Sequence, residues 1–591
     1  MKKRHNGIRQ ALILTLLAAT SILSLSAADI ISEKDIDKVI SKMTLEQKAR
    51  MLVGTTGYTD APSHKVEGAA GWTYAISSLG IPSINLADGP VGIRINPVAS
   101  PVKIVYNEAG IPVLTETNDD AGKSGHSDAD TYCTCFPSTT ALAATWNKET
   151  ALLQGKAMGE EAKCYGVDII LTPGINIMRN PLCGRNFEYY SEDPILTGKM
   201  AASIIQGIQS KGIGTSLKHF VANNQQTGKK YNDARMTQRA LREIYLKAFE
   251  ICVKEAKPWT VMGSYNKIAG DFTQTNKELM ISLLRDEWKF DGLVLTDWTV
   301  RRPTPNLLNA RCALMMPGEG EIVQEIMEAV RNGEVSESTL NACVKDVLKV
   351  VAKSVTANDW TASMPDLRRN AGISHDIATE SMVLLKNENS TLPLKNSTSI
   401  ALFGATAYKS IAGGTGSSNV NKAYVTDIAD GLEKAGFSLS ARLKDVYTKY
   451  AAFQDEILDK FPDSPDWQKL SYHRTVLPEM DFSNNPEMIE QGIKKSGLAI
   501  VVLGRGSGET SDRTLANDFN LTPAEQYLLK QVAKACRRQD KKMIVVMNVC
   551  GMMETATWKD LPDAILMAWF PGQECGDAIA DILTGKVNPS G

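Results

Sequence analysis

Gly292-Leu293-Val294-Leu295-Thr296-Asp297-Trp298 decides how the chain is read. The first half is an apolar, partly β-branched run of the kind that packs on a pleated surface covered on both sides. The second half is a carboxylate and a tryptophan, which packing alone does not require. An Asp at the end of a buried strand either caps the following helix or faces a ligand. The adjoining Trp sets a flat apolar face beside the carboxylate, a pairing that suits a sugar ring.

Working outward from this stretch, the same unit recurs upstream. Strands are expected over 81–87, 167–171, 213–217 and 260–264. Each opens into polar residues: Asp88-Gly89-Pro90 with Arg94, then Arg185 and Glu188, then Lys218-His219, then Tyr265-Asn266. Helical periodicity follows over 149–165, 199–209, 239–254 and 277–287. A capping box, Thr44 with Gln47, opens an earlier helix that runs through Leu52. Alternating strands and helices imply a parallel sheet covered by helices. A (β/α)8-like TIM barrel explains why polar residues close several separate strands, because in a barrel those ends converge on one mouth. Taken singly, each has a bland reading: Asp88 as turn chemistry, Lys218 as a solvated strand end, His219 as a satisfied core histidine. Residues 96–135 read as a long loop with a short β-like patch at 103–106; loops of that length are commonly functional or disordered.

The chain has 591 residues, too many for one core, so two or more domains are expected. A formal net charge of −2 without blocks of like charge argues against a nucleic-acid partner. Lys2, Lys3, Arg4 and Arg9 precede an apolar run over 11–25, and small residues end at Ala28. Residues 1–28 therefore read as a cleavable signal peptide, with a periplasmic or secreted product and no membrane span in the mature chain. The ten cysteines match neither a zinc spacing nor a dense disulfide framework and read mostly as small core residues. Six His without H-E-x-x-H give a metal centre little support.

Residues 33–354 are assigned to the barrel domain and the polar, aperiodic stretch 355–373 to a linker. The remainder, 374–591, reads as a second α/β domain, a doubly wound sandwich. Its expected elements are a helix over 374–385, strands over 400–404, 498–503, 543–548 and 564–568, a helix over 523–536, and a partly helical insertion over 440–485. Gly413-Gly414-Thr415-Gly416-Ser417-Ser418 is a glycine-rich loop. The stretch after the 498–503 strand, Gly504-Arg505-Gly506-Ser507-Gly508-Glu509, lacks the third glycine of a dinucleotide site, and Glu509 would repel a pyrophosphate. It reads instead as a flexible loop presenting an acid.

The ordered set of motifs resembles glycoside hydrolase family 3. The set comprises Asp88-Gly89-Pro90, Gly184-Arg185-Asn186-Phe187-Glu188, Lys218-His219-Phe220, Arg242-Glu243-Ile244-Tyr245-Leu246, Asp297-Trp298 and the Ser507–Arg513 loop, and the likeness runs from about residue 40 to the end. The resemblance implies a retaining, exo-acting β-glycosidase, most similar to bacterial β-glucosidases, acting on an oligosaccharide or aryl β-glycoside without a cofactor. It makes Asp297 the nucleophile and Glu509 the acid/base. Asp88, Arg94, Arg185, Lys218, His219, Tyr265 and Trp298 would line the glycone pocket, with Ser417 reaching in from the second domain. The chemistry needs two carboxyl groups about 5–5.5 Å apart, one ionised and one protonated, and neighbouring cations are expected to keep Asp297 ionised.

The chain also departs from that family. Cys312-Ala313-Leu314 stands where an Asp is usual, residues 301–305 are atypical, 96–135 is long, and the sequence stops at Gly591 where relatives continue, so it reads as truncated. A β-xylosidase is the nearest alternative. A non-catalytic sugar-binding protein is the alternative from another class, although a binder needs neither an ionised nucleophile nor an acid on a loop. The oligomeric state is not readable.

Overall fold

A computed structural model of the chain describes residues 33–55, 66, 68–95, 102–106, 112–116, 132–300, 302–318, 320–358, 360–395, 398–460, 476–509 and 511–591. The signal-like residues 1–28 and most of the 96–135 loop lie outside them.

In chain order the first domain contains β1 (Gly54–Thr55), β2 (Gly71–Thr73), β3 (Asn85–Asp88), a hairpin of β4 (Val102–Tyr106) and β5 (Pro112–Glu116), β6 (Ile169–Leu171) and β7 (Gly214–Phe220). β8 (Asp233–Ala234), β9 (Thr260–Gly263), β10 (Lys267–Ile268), β11 (Asp271–Phe272) and β12 (Leu293–Leu295) follow. The main sheet has the order β1-β2-β3-β6-β7-β9-β12. An eighth place is filled by only two residues: Leu314 bridges Leu295, and Met315 bridges Val53 just before β1. The Thr296 N–H donates to Leu314 O and the Gly54 N–H to Met315 O, each at 2.9 Å, so the sheet closes on itself.

The ring is barrel-like as expected, with one difference. β2 runs antiparallel to both β1 and β3. The reason is connection length: only residues 74–84 join β2 to β3, too few for the helical crossover a parallel pair needs. The stretch before Met316, where an Asp is usual in relatives, is wholly apolar and buried at Ala313, Leu314 and Met315, and it serves as the closing stave.

The helices Lys148–Tyr165 and Pro194–Gln209 pack outside the ring. Phe220, the last residue of β7, meets Phe249 and Trp288 edge-on at 5.2 and 6.2 Å between ring centres, which fixes the C-terminal end of that strand against its helical cover. The ten cysteines are unpaired and nine are buried, in keeping with their reading as core residues.

The second sheet has the order β13-β18-β17-β16-β14-β15: β13 (Val383–Asn387), β14 (Ser399–Phe403), β15 (Ser438–Leu439), β16 (Leu498–Arg505), β17 (Lys542–Val549) and β18 (Ala564–Met567). Only β13 is antiparallel to its neighbour. Strand alternation explains the continuous apolar runs. Ala401, Phe403, Val501 and Val545 enter one core, and their neighbours Ile400, Leu402, Ile500 and Ile544 enter another on the opposite face.

The helix expected over 374–385 instead spans Leu367–Ser381, capped by Asp366, and the apolar Val383-Leu384-Leu385 turns out to be strand. Pairing with β18 overrides the local helical pattern there. The stretch before that helix is fastened beneath the barrel. Thr356 donates to Asp168 through both its N–H (2.9 Å) and its hydroxyl (2.8 Å), and the Ser363 N–H donates to Cys164 O (3.2 Å). No helix among the described residues is long and apolar enough to cross a membrane.

Candidate active site

Every site residue proposed from the barrel sequence stands at the C-terminal mouth of the ring. Asp88 ends β3, Lys218 and His219 lie near the end of β7, and Arg185 sits on the loop after β6. Tyr265 and Asp297 each lie two residues beyond β9 and β12. Glu509 and Ser417 enter from the loops after β16 and β14 of the second domain, so the cluster spans the interface between domains.

Asp297 is buried. Its Oδ1 accepts from the Trp298 N–H at 2.7 Å, while Oδ2, also buried, has no hydrogen-bond partner. His219 Nε2 lies 3.8 Å from that oxygen, beyond hydrogen-bonding distance. Burial first, then Arg185, Lys218 and Lys229, hold the imidazole well below its ordinary pKa, so the ring is neutral. Asn176, on the loop after β6, receives the His219 N–H at 3.1 Å and donates to its carbonyl at 2.9 Å. The Tyr189 hydroxyl stands 3.3 Å from Nδ1. The Asn176 Oδ1 lies at the same distance, 3.3 Å, from Nδ1. Trp298 is anchored through Nε1 to Ala70 O (3.0 Å), and the Tyr265 hydroxyl donates to Trp298 O (3.0 Å).

Glu509 is held by two partners. Arg185 Nη2 lies 2.9 Å from its Oε1, and the Ser417 hydroxyl donates to the same oxygen. Arg185 is itself buried and gripped by Glu188, three residues on, through Nε and, at 2.9 Å, Nη2. Arg513, four residues after Glu509, binds Asp518 at 2.8 Å. Arg94 lies 3.2 Å from Asp88 Oδ2.

These charges set the protonation states. For Glu509, burial pushes the pKa up, but Arg185, then Lys229, the Ser417 hydrogen bond and Lys218 bring it down to about 2. For Asp297 burial dominates; Lys229, Arg185 and Lys218 offset it only in part, and the negative Glu509 adds to the rise, so its pKa is raised. Asp88 is likewise raised by burial against Lys218 and Arg94. The neighbouring cations do pull the Asp297 carboxyl toward its ionised form, as expected. Desolvation nevertheless outweighs them, and of the two carboxyl groups Glu509 is the more strongly ionised.

Lys229 was not singled out from the sequence. It lies on the loop after β7, with Nζ 4.3 Å from the centre of the Tyr265 ring, and it acts electrostatically on both Asp297 and Glu509. Two lysines in a polar loop carry no local signal. Glu188 could have been found, because a carboxylate three residues after an arginine on one helical turn can meet it. Among the described residues no cluster of three His, Cys, Asp or Glu could hold a metal ion.

Fold and site together define a two-domain protein, a barrel followed by an α/β sandwich, whose site is built by both. Matching family descriptions are the Glycosyl hydrolase family 3 N terminal domain over residues 98–350 and the C-terminal domain over 382–591. The chain belongs to glycosyl hydrolase family 3. It is 35% identical over 561 residues to thermostable β-glucosidase B of Acetivibrio thermocellus, covering 94% of this chain and 65% of that protein. It is 34% identical to an exo-α-(1→6)-L-arabinopyranosidase of Bifidobacterium longum, covering 93% and 65%. The chain thus spans about two thirds of the length of these relatives. β-Glucosidase 3B of Thermotoga neapolitana, solved with α-D-glucose, superimposes with a TM-score of 0.82 at 38% identity, over 94% of this chain and 74% of that one.

Proposed function

We propose that this protein is an exo-acting, retaining β-glycosidase that removes terminal non-reducing β-D-glucosyl residues from oligosaccharides or aryl glycosides. One observation carries the reading. Asp297 Oδ2 is a buried, unbonded carboxylate oxygen at the barrel mouth, and the facing loop of the other domain brings a second carboxyl group into the same cluster of cations. In the first step Asp297 attacks the anomeric carbon opposite the leaving group, Glu509 gives its proton to the glycosidic oxygen, and an α-linked glycosyl-enzyme forms. In the second step Glu509 takes a proton from water, which attacks the same carbon and frees Asp297. Asp88, Arg185, Lys218 and His219 bind sugar hydroxyls, and Trp298 supplies an apolar platform. The buried apolar stave at 313–315 closes the barrel, a structural role that needs no Asp.

Glu509 enters the reaction as an acid only if the sugar loosens its hold on Arg185 and Ser417. A hydroxyl accepting from Arg185 Nη2 would do this, since Arg185 stays fixed by Glu188. The N-terminal 28 residues are read as an export signal, which places the substrate outside the cytoplasm.

The test is Asp297→Gly with added azide. Loss of turnover, with rescue that yields an α-glycosyl azide, is expected; a near-normal rate without azide would remove Asp297 as nucleophile. Initial rates on aryl β-glucoside, β-xyloside, N-acetyl-β-glucosaminide and α-L-arabinopyranoside set the glycone preference, with the β-glucoside expected to be fastest.

A further inference from the structure

The loop that carries Glu509 does not hang free from the second domain. Asp512, three residues on, receives three backbone N–H groups of the barrel: Gly184 (3.1 Å) and Gln226 (2.8 Å) on Oδ1, and Thr227 (3.0 Å) on Oδ2. Its own N–H donates to the Thr227 hydroxyl at 3.3 Å. On either side of Glu509 the backbone is pinned again. The Ser507 hydroxyl donates to Gly184 O, and the Arg513 N–H donates to Leu182 O at 2.8 Å. Gly184 is a glycine for this reason: a Cβ there would stand 2.0 Å from Ser511 O and 2.7 Å from Gly508 O, both backbone atoms.

We infer that Asp512 is the positioning residue of the acid/base, a carboxylate latch that sets the distance between Glu509 and the barrel-borne nucleophile. Each of its three donors lies next to, or two or three residues from, a charged group of the site. Gly184 precedes Arg185, and Gln226 and Thr227 precede Lys229. One side chain thereby registers Glu509, its partner Arg185 and the shared cation Lys229 against one another. A carboxylate suits this place because it only accepts, and all three neighbours only donate. An amide would turn an NH2 toward one N–H, and alanine would leave the three donors without an acceptor. The inference rests on Glu509 being the acid/base.

The test compares Asp512→Ala, Asp512→Asn and Glu509→Ala in the full chain, reading kcat/KM on cellobiose, which needs a proton on its leaving group, and on 2,4-dinitrophenyl glucoside, which does not. Displacing a catalytic group by about 1 Å costs on the order of 100-fold, so Asp512→Ala is expected to lose roughly that factor on cellobiose and less than about threefold on the dinitrophenyl substrate. Asp512→Asn should fall between it and the parent. Amide exchange measured on peptides covering 182–186 and 224–229 should quicken in the same order, a readout that holds even where activity is low. Equal losses on both substrates by Asp512→Ala, or no loss on either, overturn the latch. If Glu509→Ala separates the substrates and Asp512→Ala does not, the latch alone fails; if Glu509→Ala does not separate them, the acid/base reading fails and the latch with it.

Discussion

Glu509→Ala separates the two steps of the proposed reaction, and the structure says how cleanly. Removing the carboxyl frees Arg185 Nη2, but Arg185 keeps its two-point contact with Glu188 and so does not collapse into the site. Ser417 loses its acceptor at the rim of the site, where it is 9% exposed. The deletion also takes away a negative charge that raises the Asp297 pKa, so the nucleophile becomes easier to ionise. What remains is the loss of proton transfer, worth about 10²–10⁴-fold, or about 2.7–5.4 kcal/mol of barrier. The cellobiose kcat/KM should fall by that factor. The 2,4-dinitrophenyl glucoside should keep its kcat/KM within a fewfold and show a burst of phenolate followed by a slow steady state, because no base activates water. Azide, which needs no base, should lift that slow phase and give a β-glycosyl azide, the opposite anomer from the Asp297 variant. Rapid-quench kinetics and anomer assignment by NMR check both. A common small loss on the two substrates, without a burst, would refute the assignment and return Glu509 to a loop-ordering role.

Two further outcomes follow from buried charges. Lys229→Met removes the cation that most lowers the Asp297 pKa; the acid limb of kcat/KM, which reports ionisation of the nucleophile, should move to higher pH, and an unmoved limb would place Lys229 outside the site's electrostatics. Glu479, half-buried with the Tyr447 hydroxyl and two backbone N–H groups on it, has its pKa raised by desolvation to about 7. A carboxyl raised in the folded state favours folding below its unfolded value and loses that contribution as pH rises through 7, a change on the order of 3 kcal/mol, so Tm should fall between pH 5 and pH 8 and Glu479→Gln should flatten the slope.

The parts of this molecule that were readable beforehand share one property: their signal is local. Asp88, Lys218, Tyr265 and Asp297 each stand within two residues of the end of a strand, so the break in the apolar pattern marks the neighbourhood of the strand end and the residue together. The second-domain strands were readable for the same reason, since their apolar runs are buried on both faces. β1 and β2 were not, because two or three residues cannot show a period of two. The closing stave at 314–315 is as short as β1 and is held by partners from Leu52 to Thr296. Val383-Leu384-Leu385 continued a helical pattern and became strand only because β18 was there to pair with it. The contacts that organise the site are the least legible. The bonds from Asp512 join residues 285 to 328 positions apart, and nothing in either segment alone announces the other. Lys229 belongs with them, being one of two adjacent lysines that part only in the fold, Lys229 over the Tyr265 ring and Lys230 onto Thr299.

A general acid must hold a proton near the working pH, yet Glu509 rests at a pKa of about 2 on Arg185 and Ser417. Raising it to the range of about 5–6 costs about 4–5 kcal/mol, at 1.36 kcal/mol per unit. Hydrogen bonds to a charged group are worth about 1.5–3 kcal/mol each, so giving up the Arg185 and Ser417 contacts covers the shift, and no larger rearrangement is needed. Binding of a neutral sugar that displaces them must then draw a proton from solution. Calorimetry of glucose binding at pH 5 in two buffers of different ionisation enthalpy measures that uptake directly. Up to one proton per site is expected, falling toward zero in Glu509→Gln, and affinity should strengthen as pH is lowered toward 4. Uptake that persists in Glu509→Gln would assign the proton to Asp297 or Asp88 instead. Zero uptake in the parent chain would mean that the sugar leaves the Arg185–Glu509 pair intact, and the acid would then have to be sought among the other carboxyl groups of the mouth.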